Sequence, residues 1–348
     1  MTTGDPAALA DLTDRLAAAA EAALPKWPLP DGASVRLINV SQNIIYLVET
    51  DRPIAVLRCH RPGYNDRRAI ECELAWAEAL GRDGGVATPA AIPGRNGNPI
   101  QTLTAPGLTD RFAVLFHYIP GAAPDETRTL TPEFERLGEI AARAHLHAMA
   151  WKRPEPFRRL TWNVDTILGP AAHWGDWREA PNLSPADAAS LEAAEAEIRR
   201  RLGAYGAGAD RYGLIHADMR LANLIIQDGE PRLIDFDDCG FGWFMYDFAA
   251  AISFIEDRAD IPELKAAWLK GYRRVRPLPD RDAAEIDTMI MLRRLALLAW
   301  IGSHIEAPEP QALAPDFARV SAGLARRWLA PVRGDLTAVA LGGDNLGT

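Results

Sequence analysis

The chain has 348 residues, 48% apolar and 24% charged, a globular composition long enough for two domains or lobes. Its 38 Lys and Arg against 47 Asp and Glu leave a net charge of −9, which excludes the basic surface a general nucleic-acid binder needs. The Ala-rich stretch 7–24 is broken by Asp11, Asp14, Arg15 and Glu21, so no membrane span is expected, and three Cys with no C-x-x-C and no signal-peptide pattern at the start predict a cytoplasmic protein without disulfides.

In chain order, residues 7–24 read as an amphipathic helix stopped by Pro25, Pro28 and Pro30. Alternating and β-branched runs at 35–40, 44–49 and 54–58, parted by Ser41-Gln42-Asn43 and Asp51-Arg52-Pro53, predict a three-stranded antiparallel meander. Ile70, Leu74, Ala77 and Leu80 share one helical face, and a strand at 112–118 ends at Ile119-Pro120-Gly121. Helices are then expected at 132–150, with Thr131 as N-cap, at 184–203 and through most of 245–330. The fold class is α+β, with a small antiparallel-sheet lobe and a larger, mainly helical one. The expected division is a helical extension at 1–30, an N-lobe at 31–120, a C-lobe at 121–335 and a tail at 336–348.

The stretch 214–238, LIHADMRLANLIIQDGEPRLIDFDD, carries the chemistry. Two short apolar segments flank Asp228-Gly229, a strong hairpin signal. Asn223 precedes the first and Asp235 follows the second, so an antiparallel hairpin brings an amide oxygen and a carboxylate together. Both are hard donors suited to Mg²⁺, which commonly takes one or two protein ligands beside phosphate and water. Asp218, five residues before Asn223, is placed to position a hydroxyl nucleophile.

This H-x-D-x-x-x-x-N pattern followed by I-D-F resembles the aminoglycoside phosphotransferase and choline kinase-like family of the protein-kinase-like fold. Within that family it is most similar to bacterial stress-response kinases and type II homoserine kinases. The resemblance spans about 35–300 and implies a two-lobed enzyme that moves the γ-phosphoryl group of ATP to a hydroxyl of a small molecule, with Mg²⁺. It implies Asp218 as catalytic base, Asn223 and Asp235 as metal ligands, His216 as the structural His of the loop, and Asp247 as the acid that buttresses the loop backbone. Ala217 stands where protein kinases often carry an Arg, so activation by loop phosphorylation is not expected. A protein Ser/Thr kinase of the stress-response type and a nucleotide-binding pseudokinase are the alternatives.

The family's third strand carries a Lys that holds phosphates. Only four of the 38 basic residues here are Lys, and none lies between 27 and 151. Arg58 therefore takes that role, with Glu73 as its partner and Glu71 as the competitor. Ser41 and Asn43 stand where the phosphate-covering turn belongs. Residues 116–119, with Phe116, His117 and Ile119, form the expected adenine hinge. Ile45, Val56, Ile225 and Ile234 form its expected walls. On the acceptor side the candidates are Arg220, Trp162 and Trp174. The oligomeric state is not legible.

Overall fold

The computed structural model describes residues 6–40, 43–125 and 127–330; the tail expected at 336–348 falls outside them. The meander is present as β1 (Ser34–Val40), β2 (Ile44–Glu49) and β3 (Pro53–Cys59). Helix α2 (Arg67–Asp83) follows, then β4 (Ala91–Ile92), β5 (Ile100–Leu103) and β6 (Arg111–His117). β6 pairs antiparallel with β3, and β4 and β5 pair along its other edge. Strand alternation divides the sheet's side chains between two faces. Tyr46, Val48, Ala55, Leu57 and Cys59 are buried under α1 (Pro6–Ala23) and the turn after it, against Leu16, Ala20 and Trp27. Ile45, Leu47, Val56 and Arg58 face the opposite way, into a cleft.

Helix α2 starts at Asp66, whose carboxylate accepts from the Ala69 N–H at 2.8 Å. Such a cap contributes about 1 kcal/mol. The helix buries Ile70, Glu73, Trp76, Ala77 and Leu80, one face at helical spacing. A carboxylate within that face is the first sign that α2 serves the cleft as well as the core.

The larger part begins with α3 (Thr131–Ala150). Thr131 is its first residue and not its cap; Leu130 takes the cap position in helical geometry, with no side-chain bond to the helix. Pro132 lies in the first turn, where its missing N–H has no intrahelical partner to lose, so the helix starts without a cap. The chain continues through β7 (Leu160–Trp162), α4 (Val164–Leu168), α5 (Pro185–Tyr205), β8 (Tyr212–Ile215), β9 (Leu224–Gln227), β10 (Glu230–Leu233) and β11 (Gly240–Trp243). The described part ends in α6 (Tyr246–Ala251), α7 (Ile261–Val275), α8 (Asp280–Ala284), α9 (Ile286–Ser303) and α10 (Pro308–Leu329). β11 lies between β7 and β8 and pins both ends of the 216–239 segment to the helical core. Fourteen of the eighteen residues of α9 are buried, Arg293 and Arg294 among them, so both cations need partners. No helix among the described residues is long and apolar enough to cross a membrane.

Candidate active site

β9 and β10 form the expected hairpin, with Gln227 opposite Glu230 and a two-residue turn in which Asp228 (φ 53°) and Gly229 (φ 81°) are both left-handed. That is the turn whose twist matches a hairpin, and it favours Asp-Gly. The pairing extends one step beyond the strands, because the Ile234 N–H donates to the Asn223 carbonyl at 2.9 Å. Asn223 and Asp235 therefore stand side by side.

Asp218 sits beside them. The Asn223 amide donates to Asp218 Oδ2 and to its carbonyl, both at 2.8 Å. Arg293 Nη2 donates to Asp218 Oδ1, also at 2.8 Å. The loop is held from beneath by Asp247, buried at the start of α6, which accepts from the Ala217 N–H at 2.7 Å and the His216 N–H at 3.2 Å. His145 Nε2 lies 2.9 Å from the same carboxylate, and its Nδ1 lies 2.9 Å from the Tyr272 hydroxyl. Burial lowers the His145 pKa, so this imidazole is a neutral strut. His216 Nε2 lies 3.1 Å from the Ile234 carbonyl and its ring packs on Phe236, which ties the loop to the hairpin. Three of the five described non-glycine residues with positive φ lie here: Ala217 (65°), Asp235 (59°) and Phe254 (74°). Strained backbone of this kind persists where surrounding contacts hold it and concentrates at functional sites.

On the sheet side, the Arg58 guanidinium is buried, bonded to Glu73 and, at 3.2 Å, to Asp235 Oδ1, with the Phe116 ring 5.1 Å away. Burial works against its charge, yet Glu73, Asp237 and Asp235 together raise its pKa. Glu71 instead pairs with Arg68 at 3.1 Å. Asp235 shifts upward, first by burial and then by Asp237 and Asp218, with Arg58 pulling the other way. A carboxyl raised in the company of two further acids, next to the Asn223 amide, is a donor set that fits a hard cation.

Two cavities meet at this point. One, of about 390 Å³, lies between the sheet and the hairpin and is lined by Val56, Arg58, Glu73, Phe116, His117, Ile119, Ile225 and Ile234. The other, of about 210 Å³, is lined by Trp174, Asp218, Arg220, Asp238, Arg293, Trp300 and Glu309. Asn223 and Asp235 line both.

Three expected residues stand differently. Asn43 lines the smaller cavity, and both ends of its amide are engaged: Nδ2 donates to Asp237 at 2.8 Å and Oδ1 accepts from the Arg61 N–H at 3.1 Å. It joins the sheet to the segment that follows the hairpin, so its side chain is not free to meet a phosphate. Trp162 is fully buried behind the site; its indole N–H donates to the Asp238 carbonyl at 2.7 Å, and it lines neither cavity. Ser41 lies outside the described residues. Sequence reading missed Arg293, Asp237, Asp238, Phe254, Trp300 and Glu309. Asp237 accepts from Asn43 and from Asn65 Nδ2 (3.1 Å), with His60 Nδ1 3.3 Å away. Burial would push this carboxyl up, but His60, Arg58 and Arg159 hold it well below the usual carboxylate range.

The family model described as "Phosphotransferase enzyme family" matches residues 34–278. The solved structure of a microcompartment-associated aminopropanol kinase is 42% identical, covers 89% of this chain and 96% of its own, and superposes with a TM-score of 0.82. An amicoumacin kinase solved with AMP-PNP, Ca²⁺ and Ami shares the fold at 20% identity, with a TM-score of 0.70 over 90% of this chain and 96% of its own. A homoserine kinase of Gluconobacter oxydans is 28% identical over 260 residues, 70% of this chain and 76% of its own.

Proposed function

Because the chain belongs to the phosphotransferase enzyme family and is an ATP:alcohol phosphotransferase, we propose a small amino alcohol as its acceptor, Mg²⁺ as its cation, and Asp218, Asn223, Asp235 and Arg58 as the residues that carry the transfer. The observation that supports this reading is the meeting of the two cavities at Asn223 and Asp235, with Asp218 on the side of the smaller one.

In this reading the described residues of 31–120 form the nucleotide lobe and those of 121–335 the acceptor lobe, residues 331–335 lying outside the described ones. Adenine packs between Val56, Ile225 and Ile234, and the backbone at 117–119 meets its edge. Arg58, oriented by Glu73, gives its fork to phosphate oxygens. Asn223 and Asp235 hold Mg²⁺, which neutralises the charge that develops on the phosphates. The nucleotide analogue and Ca²⁺ in the amicoumacin kinase structure support this use of a nucleotide and a divalent cation. Asp218 orients the acceptor hydroxyl, and its own direction is fixed by Arg293 and Asn223.

A cavity of about 210 Å³ is below the ~300–1,000 Å³ of sites for drug-sized ligands, so the acceptor is small. The names of the aminopropanol and homoserine kinases point to alcohols that carry an amine. Arg220, the group that a homoserine carboxylate would need, is already 3.5 Å from Glu309 and 5.0 Å from the Phe254 ring. That favours an amino alcohol without a carboxylate. The alternatives, a protein kinase and a pseudokinase, are not favoured by these relatives.

The test is ADP release from Mg-ATP with 1-amino-2-propanol, ethanolamine, homoserine and 1,2-propanediol. The amino alcohols should be fastest. Asp218→Ala should lower kcat by roughly 10²–10⁴-fold while nucleotide still binds. Full turnover by that variant, or ADP release that no small alcohol accelerates, would sink the reading.

A further inference from the structure

Resting on that reading and deepening it, we propose that Asp238 selects an amino alcohol over a neutral one by taking the acceptor's ammonium group on its carboxylate. Asp238 lines the acceptor cavity and is only 8% exposed. It is fixed at both ends. Tyr64 donates its hydroxyl to Oδ1 at 2.7 Å, and Trp162 donates to the main-chain carbonyl at 2.7 Å. Oδ2 accepts no hydrogen bond from the described residues.

Among the described residues no cation lies within ion-pair distance of this acid. Arg293, in the cavity wall, gives its donors to Asp218, Ser253 and the Ala217 carbonyl. Arg159 gives its donors to Asn65 and the carbonyls of Ala69, Phe236, Asp237 and Cys239. A buried carboxylate without a counter-charge is costly, so the group must hold a proton or receive a cation. Burial, then the negative Asp218 and Asp237, push its carboxyl up to about 8, against the pull of Tyr64 and Arg293. An ammonium group entering the cavity displaces the proton and supplies the missing charge. Asp218 and Asp238 line one cavity of about 210 Å³, so a molecule of a few heavy atoms presents its hydroxyl to one and its nitrogen to the other. Trp174 and Trp300 line the same cavity, and the low exposure of Asp238 itself reduces the screening of such a pair by water. Glu309 cannot serve equally well: its side chain is 47% exposed and stands beside Arg220.

The experiment compares kcat/KM for 1-amino-2-propanol and for 1,2-propanediol, which differ in little but an ammonium in place of a hydroxyl. The wild type should prefer the amine, and Asp238→Asn should reduce that preference by roughly tenfold to a hundredfold, the range for hydrogen bonds to charged groups. A variant that keeps the wild-type preference overturns the assignment. So does a collapse of the preference in Glu309→Gln instead, which would place the ammonium at the cavity mouth. Should Asp238→Asn fail to fold, calorimetry on the wild type at pH 7 in buffers of different ionisation enthalpy decides. On the order of one proton should leave when 1-amino-2-propanol binds and none when the diol binds; no release overturns the proposal. A wild type that uses neither compound overturns the acceptor reading as well. A wild type that prefers the amine beside an unchanged variant overturns only the role of Asp238.

Discussion

Arg293 on α9 donates to Asp218 Oδ1 at 2.8 Å across 75 residues of chain. Its guanidinium is itself locked, bonded to Ser253 Oγ and the Ala217 carbonyl and lying 5.3 Å from the Trp174 ring and 5.9 Å from the Tyr246 ring. With Asn223 on the other oxygen, the carboxylate has a single direction. Positional errors of an ångström at such a group cost about 10²-fold in rate. Arg293→Met should therefore lower kcat by about that factor and leave the KM for ATP nearly unchanged, because Arg293 does not line the larger cavity, where the nucleotide is proposed to bind. Arg293→Lys should fall between, since a Lys keeps the charge but loses the fork. Steady-state kinetics with both variants check this; a rise in ATP KM that matches the fall in kcat would contradict it.

Arg58 makes a different prediction, because its partners are buried with it. Arg58→Ala leaves Glu73, 2% exposed, as an uncompensated charge, a change that typically costs about 3–5 kcal/mol. A lower melting temperature and a raised ATP KM should appear together. Arg58→Lys restores the charge, but one ammonium cannot replace a fork that spans Glu73 and Asp235, so stability should recover more than ATP affinity. Equal recovery of both, measured by thermal melts and ATP titration, would mean that the fork is not needed.

The contrast between these two arginines shows what the sequence made legible. Arg58 stands on a strand whose alternation is local, fifteen residues before Glu73, and the hairpin that joins Asn223 to Asp235 closes within twelve residues around an Asp-Gly turn. Short-range patterns of this kind carry their own geometry. Arg293 lies in the apolar run of α9, where periodicity says only that the helix is buried, and its partner is set by how α9 packs under the loop that carries Asp218. The available signal was the Arg293-Arg294 pair itself, since two cations in a core helix require acidic partners: the half-buried Asp218 and, for Arg294, the buried Glu256. Trp162 illustrates the reverse error. Aromatic residues near the acceptor segment suggested a ligand wall, but only tertiary packing decides which indole faces the cavity, and Trp174 does while Trp162 does not.

Asp238 also sets a pH dependence of stability. Its folded pKa, pushed up to about 8 first by burial, exceeds the ordinary carboxylate value of 3.8. Between those values the folded state holds a proton that the unfolded state has released, so stability falls as pH rises across that window. Asp237 has the opposite sign: its depressed pKa contributes stability above the ordinary carboxylate range that is lost on acidification below it. The ligand-free protein should therefore melt at lower temperature at pH 9 than at pH 6. Asp238→Asn should remove most of that difference. Melting curves of the two proteins across this range are the measurement, and an identical slope in the variant would assign the loss to another group.

Gly121 links β6 to the helical part where the chain passes closest to β9. Its φ is 142°, and an added Cβ would lie 2.3 Å from the Ile226 carbonyl oxygen and 2.7 Å from Ile225 Cγ2. Beside it, the Ile226 N–H donates to the Ala122 carbonyl at 2.9 Å, so the connector is laced to the strand that carries Ile225 into the larger cavity. Gly121→Ala cannot keep this backbone geometry and this contact together. Overpacking of this kind costs about 1–3 kcal/mol, and relief requires the connector to lift from β9, which widens the cleft on the adenine side. The variant should melt lower and show a raised ATP KM, while the preference between amino alcohol and diol persists, because the smaller cavity is not lined by this segment. Unchanged ATP affinity in a folded Gly121→Ala would show that the cleft does not depend on this close approach.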